Sequence, residues 1–335
     1  MNTNLTRRRV AQASLLSLLG VAGLANLAHG QNAPAPKWPD KTVRIVAAGP
    51  AGASADIIAR LVADGLAKES GQPVVVDPKP GAGGVLAVND LSQAPHDGYT
   101  VLVGVNSLVS EIPHIIKMRN DMSREIKPLV ELGRGGLVMV GGPTVPAKSF
   151  PELMGWIKAH PGSVSYASYT AGTVSHVIGL QLNKAAGIDM THVGYKGSTP
   201  ALTDVMGGHV QLMFDGMATS LPMIKSGKLK AFAVSTPKRS PLLPDVPTFA
   251  ELGYPQLETV AWMGLWVKPD VPAAMQNTIR EAVLKVMAQP AVRARLLDLG
   301  LEAVPSRTPE ELTRSLSVDY QRVGEVLKSI DFKPE

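Results

Sequence analysis

Hydrophobic positions along the chain follow two alternating patterns. Short, mainly apolar runs occur at Val43–Ala48, Pro73–Val76, Tyr99–Val105, Leu137–Val140, Val164–Ala167, His209–Phe214, Leu229–Val234 and Val260–Val267. Runs this short, rich in β-branched residues and bounded by Gly, Pro or Asp, predict buried strands. Between them the apolar period lengthens to that of a helix. Asp56–Val62 carries apolar residues at i, i+3 and i+4, and Gly71 predicts its stop. Ser149-Phe150-Pro151-Glu152 and Thr248-Phe249-Ala250-Glu251 read as capping boxes, and a further helix is expected near Ser175. The tail is helical over Pro272–Met287, Pro290–Leu299 (ended by Gly300) and from Thr308 to near Ile330. Strand–helix alternation of this kind predicts parallel βαβ units in an α/β fold with two halves, the tail packing back on the first.

Composition narrows this picture. Aromatic residues are only 4% of the 335-residue chain, so the core must be aliphatic. There is no cysteine, which excludes disulfides, thiolate metal sites and cysteine nucleophiles. The formal net charge is +5, but Arg7, Arg8 and Arg9 supply three of those charges and leave +2 for the rest. No dense basic stripe with interleaved aromatics follows, so nucleic acid is not an expected partner.

Residues 1–30 read as a signal peptide. Arg7–Arg9 form a basic n-region, Ala11–Leu27 an uncharged apolar h-region, and Ala28-His29-Gly30 a small-residue cleavage site. Cleavage near Gly30 predicts a periplasmic mature protein. The general and twin-arginine routes both remain open.

Enzyme signatures are missing. There is no G-x-S-x-G elbow, no H-E-x-x-H and no G-K-[ST] phosphate loop. The seven histidines show no metal-ligand spacing, and no metal or cofactor is expected. What remains are two strand-to-helix loops of small and hydroxyl residues, Pro50–Asp56 and Ser168–His176. Each should end at a helix N-terminus, where unpaired N–H groups and the helix dipole favour an anion such as a carboxylate. The candidate ligand residues are Gly52, Ala53, Ser54, Ala55 and Asp56 in the first loop, and Tyr169, Thr170, Thr173, Ser175 and His176 in the second. Asn106, Ser107 and Asp215, which follow strands, join them. The simpler alternative makes Ser54 and Thr173 plain helix caps.

Several segments match one family in order. They are Pro50–Asp56, Gln72–Gly84, Asp97-Gly98-Tyr99-Thr100, Tyr166–His176, Tyr195-Lys196-Gly197-Ser198, Pro200–Asp204, Gly207-Gly208, Met213-Phe214-Asp215 and Leu243–Phe249. The chain resembles the solute-binding proteins of tripartite tricarboxylate transporters, the Bug family. The resemblance implies a two-domain periplasmic binding protein, a Venus flytrap with the ligand cleft between domains. Domain 1 would be residues 38–136 plus 259–335, and domain 2 residues 137–258. It implies no catalysis and no cofactor. The expected partners are a small organic carboxylate and the membrane transporter subunits, with the protein acting as a monomer. Ala51, Ala53, Tyr169 and Thr170 depart from the usual loop residues. Tyr169 could stack on an aromatic ring or donate to a second carboxylate, and Asp215 could line the cleft or cap the next segment. Neither loop carries an arginine. Neutral donors would then have to hold a second carboxylate, and the small first-loop side chains with Tyr169 favour a bulky or aromatic dicarboxylate, such as terephthalate, with aliphatic dicarboxylates and aromatic monocarboxylates as alternatives. A sensor subunit for a membrane signalling protein and an exported hydrolase are the rival functions.

Overall fold

Two five-stranded sheets hold the strand runs. The computed structural model describes residues 37–116, 121–302, 306–329 and 332, so the basic and apolar leader lies outside the described residues. The first lobe runs β1 (Val43–Ala47), α1 (Ser54–Ser70), β2 (Val74–Pro78), α2 (Val85–Ser92), β3 (Thr100–Val105), the short α3 (Ser107–Ser110) and α4 (Met122–Glu125), then β4 (Lys127–Gly135). The second runs β5 (Leu137–Gly141), α5 (Phe150–Ala159), β6 (Ser165–Ser168), α6 (Val174–Ala186), β7 (Thr191–Gly194), α7 (Ser198–Met206), β8 (Leu212–Gly216), α8 (Met217–Lys225) and β9 (Lys230–Val234). The chain then returns as β10 (Ala261–Val267), α9 (Ala273–Met287), α10 (Pro290–Asp298) and α11 (Pro309–Ser329).

The sheets have matching orders, β2-β1-β3-β10-β4 and β7-β6-β8-β5-β9. Neither is wholly parallel, which corrects the expectation of simple βαβ units. β10 runs antiparallel to β3 and β4, and β5 antiparallel to β8 and β9. The antiparallel strand is in each case the one that enters from the other lobe. Strands β4 and β7 were not anticipated: Arg134 and Glu131 interrupt the apolar run of β4, and the four residues of β7 are too short for a pattern.

Local chemistry explains the other elements. α1 buries Ala55, Ile58, Ala59, Val62, Ala63 and Leu66 against β1 and β3, and Gly71 ends it in the left-handed conformation. Ser149 caps α5 by accepting from the Glu152 N–H, while the Glu152 carboxylate accepts from the Lys148 N–H. The Thr248–Glu251 box closes both of its bonds, yet only a turn follows, because Gly253 and Pro255 come too soon for a helix. The tail does pack on the first lobe, through Ile279, Val283, Val292 and Leu296. The far end of α11 also reaches the second lobe, where Val323 and Leu327 meet Val177 of α6. At the crossing between lobes, the buried Ser235 hydroxyl accepts from Leu137 N–H and donates to the Thr259 carbonyl, both at 2.8 Å. No helix among the described residues is long and apolar enough to cross a membrane.

Candidate functional site

A cleft, part of it open to solvent, lies between the lobes. Several helices begin at its wall, among them α1, α6, α7 and α8. Their N-caps are Ala53 (α1), Thr173 (α6), Gly197 (α7) and Gly216 (α8), and none makes a side-chain capping bond. Away from the cleft, α5 and α11 are capped by Ser149 and Thr308, whereas α9 and α10 have no capping side chain. Uncapped N-termini keep their first N–H groups and positive dipole ends available to a ligand.

The lobes touch across this cleft. The Thr199 hydroxyl donates to the Ala51 carbonyl at 3.2 Å. Gly197 has a φ of +114°, and a Cβ there would run into the Pro50 ring of the opposite lobe. Glycine is required on both counts.

The predicted residues divide into two groups. Ala53, Ser54, Ala55, Ser107, Tyr169 and Thr173 line the cleft. Gly52, Asp56, Asn106, Thr170, Ser175, His176 and Asp215 are not on its wall but hold its loops in shape. Asp56 turns back to accept from Gly52 N–H and Arg60 Nε, both at 2.9 Å. Asn106 Oδ1 accepts from Trp262 N–H and so ties the end of β3 to β10. The Thr170 carbonyl accepts from the Ser168 and Thr173 hydroxyls, each at 2.9 Å. Ser175 donates to the Phe214 carbonyl.

His176 Nδ1 accepts from Gly172 N–H, and its ring stacks on His192 at 3.7 Å. Burial, then the neighbouring ring, pushes the His176 pKa down to about 3, and burial pushes His192 down to about 4. Both rings are therefore neutral at pH 7, and Nδ1 of His176 is an acceptor.

Asp215 is fully buried and accepts from the hydroxyls of Ser198, Thr219 and Ser220. Ser198 opens α7 and the other two stand in the first turn of α8, so one carboxyl ties both N-termini together. Of the two roles anticipated for it, Asp215 fills the capping one. Burial raises its pKa against the pull of those donors. The Tyr169 hydroxyl accepts from Gly216 N–H at 2.6 Å and lies against Asp215. Burial, reinforced by the Asp215 charge, holds the phenol well above its usual range. That hydroxyl is committed internally, which corrects the idea that it donates to a second ligand carboxylate. Only the Tyr169 ring is left to face a ligand.

The residue list drawn from the loops missed Lys196. It is exposed on the cleft wall, has no ion-pair or hydrogen-bond partner among the described residues, and no described Asp or Glu shares that wall. Gly197, Ser198, Gly216 and Met217 were missed as well. The Tyr195-Lys196-Gly197-Ser198 tetrapeptide, a glycine and a hydroxyl opening a helix, was the available signal. Trp262, Met263 and Leu301 add apolar wall, and Trp262 and Met263 are at the same time buried core residues.

Comparison with known proteins agrees with this architecture. A family model described as the tripartite tricarboxylate transporter family receptor matches residues 58–332. The periplasmic binding protein BugD superposes with a TM-score of 0.84 at 28% identity, covering 89% of this chain and all of its own. An R. palustris protein solved with adipate gives a TM-score of 0.84 at 26% identity, with 89% and 100% coverage. MatC from Rhodopseudomonas palustris, with bound malate, gives 0.79 at 30% identity, with 87% and 100% coverage. That family consists of transporter receptors, not enzymes. The chain belongs to the tripartite tricarboxylate transporter receptor family, TctC.

Proposed function

We propose that the chain is a periplasmic receptor that captures a dicarboxylate with an apolar body and delivers it to the membrane subunits of a tripartite tricarboxylate transporter. The observation that carries this is the convergence of four uncapped helix N-termini on a wall with one lysine and no carboxylate. One ligand carboxylate seats on N–H groups from Ser54, Ser198 and Met217. Lys196 takes the second, in place of the arginine that both loops lack. The body of the ligand lies between Tyr169, Met217, Trp262 and Leu301. Adipate and malate on two relatives support the carboxylate class, and the apolar wall supports a bulky or aromatic skeleton. The rigid bodies are residues 38–136 with 259–335, and residues 137–258, which move about the Ser235 crossing as a monomer. Ligand contacts from both lobes favour the closed arrangement by their differential affinity for it. A micromolar dissociation constant would require about −8 kcal/mol.

The test is a thermal-shift series with terephthalate, benzoate, adipate and malate, on protein refolded to remove any carried-over ligand. Stabilisation follows RT ln(1 + [L]/Kd). Terephthalate should bind more tightly than benzoate, and Lys196→Gln should erase most of that gap. Tyr169→Ala should weaken terephthalate more than adipate. No shift with any of the four would overturn the proposal.

A further inference from the structure

Glu111 follows α3 at the seam between the lobes and is buried, with 7% of its surface exposed. Its carboxyl faces the backbone N–H of Val174, the first residue of α6 on the opposite lobe. Apolar contacts close the seam around it, where Ile115 of the first lobe packs with Val177 of the second and with Val323 and Leu327 of α11. Glu111 Oε2 is buried and has no hydrogen-bond partner among the described residues.

The charged groups that face it are few. Among the described residues both come from α11: Arg322, which attracts it, and Asp319, which repels it. Arg322 itself donates to Asp319 at 3.1 Å, so its charge is shared. On α6, His176 is neutral and offers no cation. One N–H and a shared arginine do not replace the water that a carboxylate loses when the second lobe arrives.

We propose that Glu111 takes up one proton from solvent when the lobes close on a ligand, so that capture of an anion is coupled to proton uptake. The proposal rests on the cleft being the ligand site. Burial at the seam pushes the Glu111 pKa up to about 8, and an opened seam, which readmits water, returns it toward the usual carboxylate range. The closed form therefore holds the proton more tightly than the open form. Affinity is greatest at the acid end of the window and falls as pH rises through about 8.

The experiment is calorimetric titration of the parent protein with adipate and with terephthalate at pH 7.5, in phosphate and in Tris, whose ionisation enthalpies differ. Both ligands are fully ionised there. We expect uptake of about 0.8 proton per ligand bound, and a Kd about tenfold weaker at pH 9 than at pH 7. Glu111→Gln should bind with no uptake and a flat pH profile. Binding by the parent without proton uptake overturns the proposal, whether or not the glutamine variant folds. So does the same uptake in Glu111→Gln. Absence of binding by either probe overturns the reading of the cleft itself, and this proposal with it.

Discussion

Removal of the Asp215 carboxyl should loosen two helix N-termini at once. Three hydroxyls, from Ser198, Thr219 and Ser220, donate to it where no solvent enters. A hydrogen bond to a charged group contributes about 1.5–3 kcal/mol. Three such bonds do not simply add here, because burial works against the ionised carboxyl, as its raised pKa indicates. Breaking a buried charged network by removing one partner costs about 3–5 kcal/mol. For about 300 folded residues the unfolding entropy is roughly 0.6 kcal/mol/K, so Asp215→Ala should lower the Tm by about 5–8 °C. Asp215→Asn keeps one acceptor oxygen and should lose about half as much. Scanning calorimetry reads both. Ser198→Ala alone should destabilise the parent, yet cost little more in the Asp215→Ala background, since its partner is already gone. Ligand affinity should fall in step, because Ser198 and Met217 begin the helices that face the cleft. A Tm within 1 °C of the parent, on the order of measurement error, would refute the reasoning, as would full additivity of the two substitutions.

Two further outcomes follow from the same geometry. The stacked pair His176 and His192 has folded pKa values of about 3 and about 4, below the unfolded value of about 6.5. Its contribution is fully present above pH 6.5 and is lost as pH falls toward 4, by at most about 1.4 kcal/mol per pH unit for each ring. Thermal unfolding at pH 7 and pH 5 should show this drop, and His192→Asn should reduce it by about half, since His176 still titrates; a Tm that does not change over this range would contradict the reading. Gly197→Ala should raise the ligand Kd tenfold or more, because its Cβ meets Pro50 only when the lobes are together. Gly187→Ala, also at positive φ but with nothing nearby, serves as the control for backbone strain alone. Equal loss of affinity in both variants would exclude the clash with Pro50.

Much of the molecule could be read along the chain, because its causes are local. Apolar period separated strands from helices, and Gly71 and Gly300 stopped helices by taking up left-handed φ values of 71°. Small residues before Ser54 and Val174 marked the two loops proposed to hold an anion, since a helix start without a capping side chain is a property of neighbouring residues. Enough motifs stood in order to suggest the family. Other features depend on what meets across the lobes. The direction of β5 and β10 depends on which lobe each strand enters from, and no periodicity encodes that. Seven of the thirteen predicted ligand residues support the wall from behind instead of forming it. Side chains such as Asp215 and His176 turn inward because a partner far along the chain satisfies them there. Lys196 becomes the cation of the cleft only when the second lobe is placed opposite Pro50. Burial raises the Glu111 pKa, and that burial exists only where α6, α11 and the end of α3 come together. Desolvation is set by atoms distant in sequence, so it is a tertiary quantity.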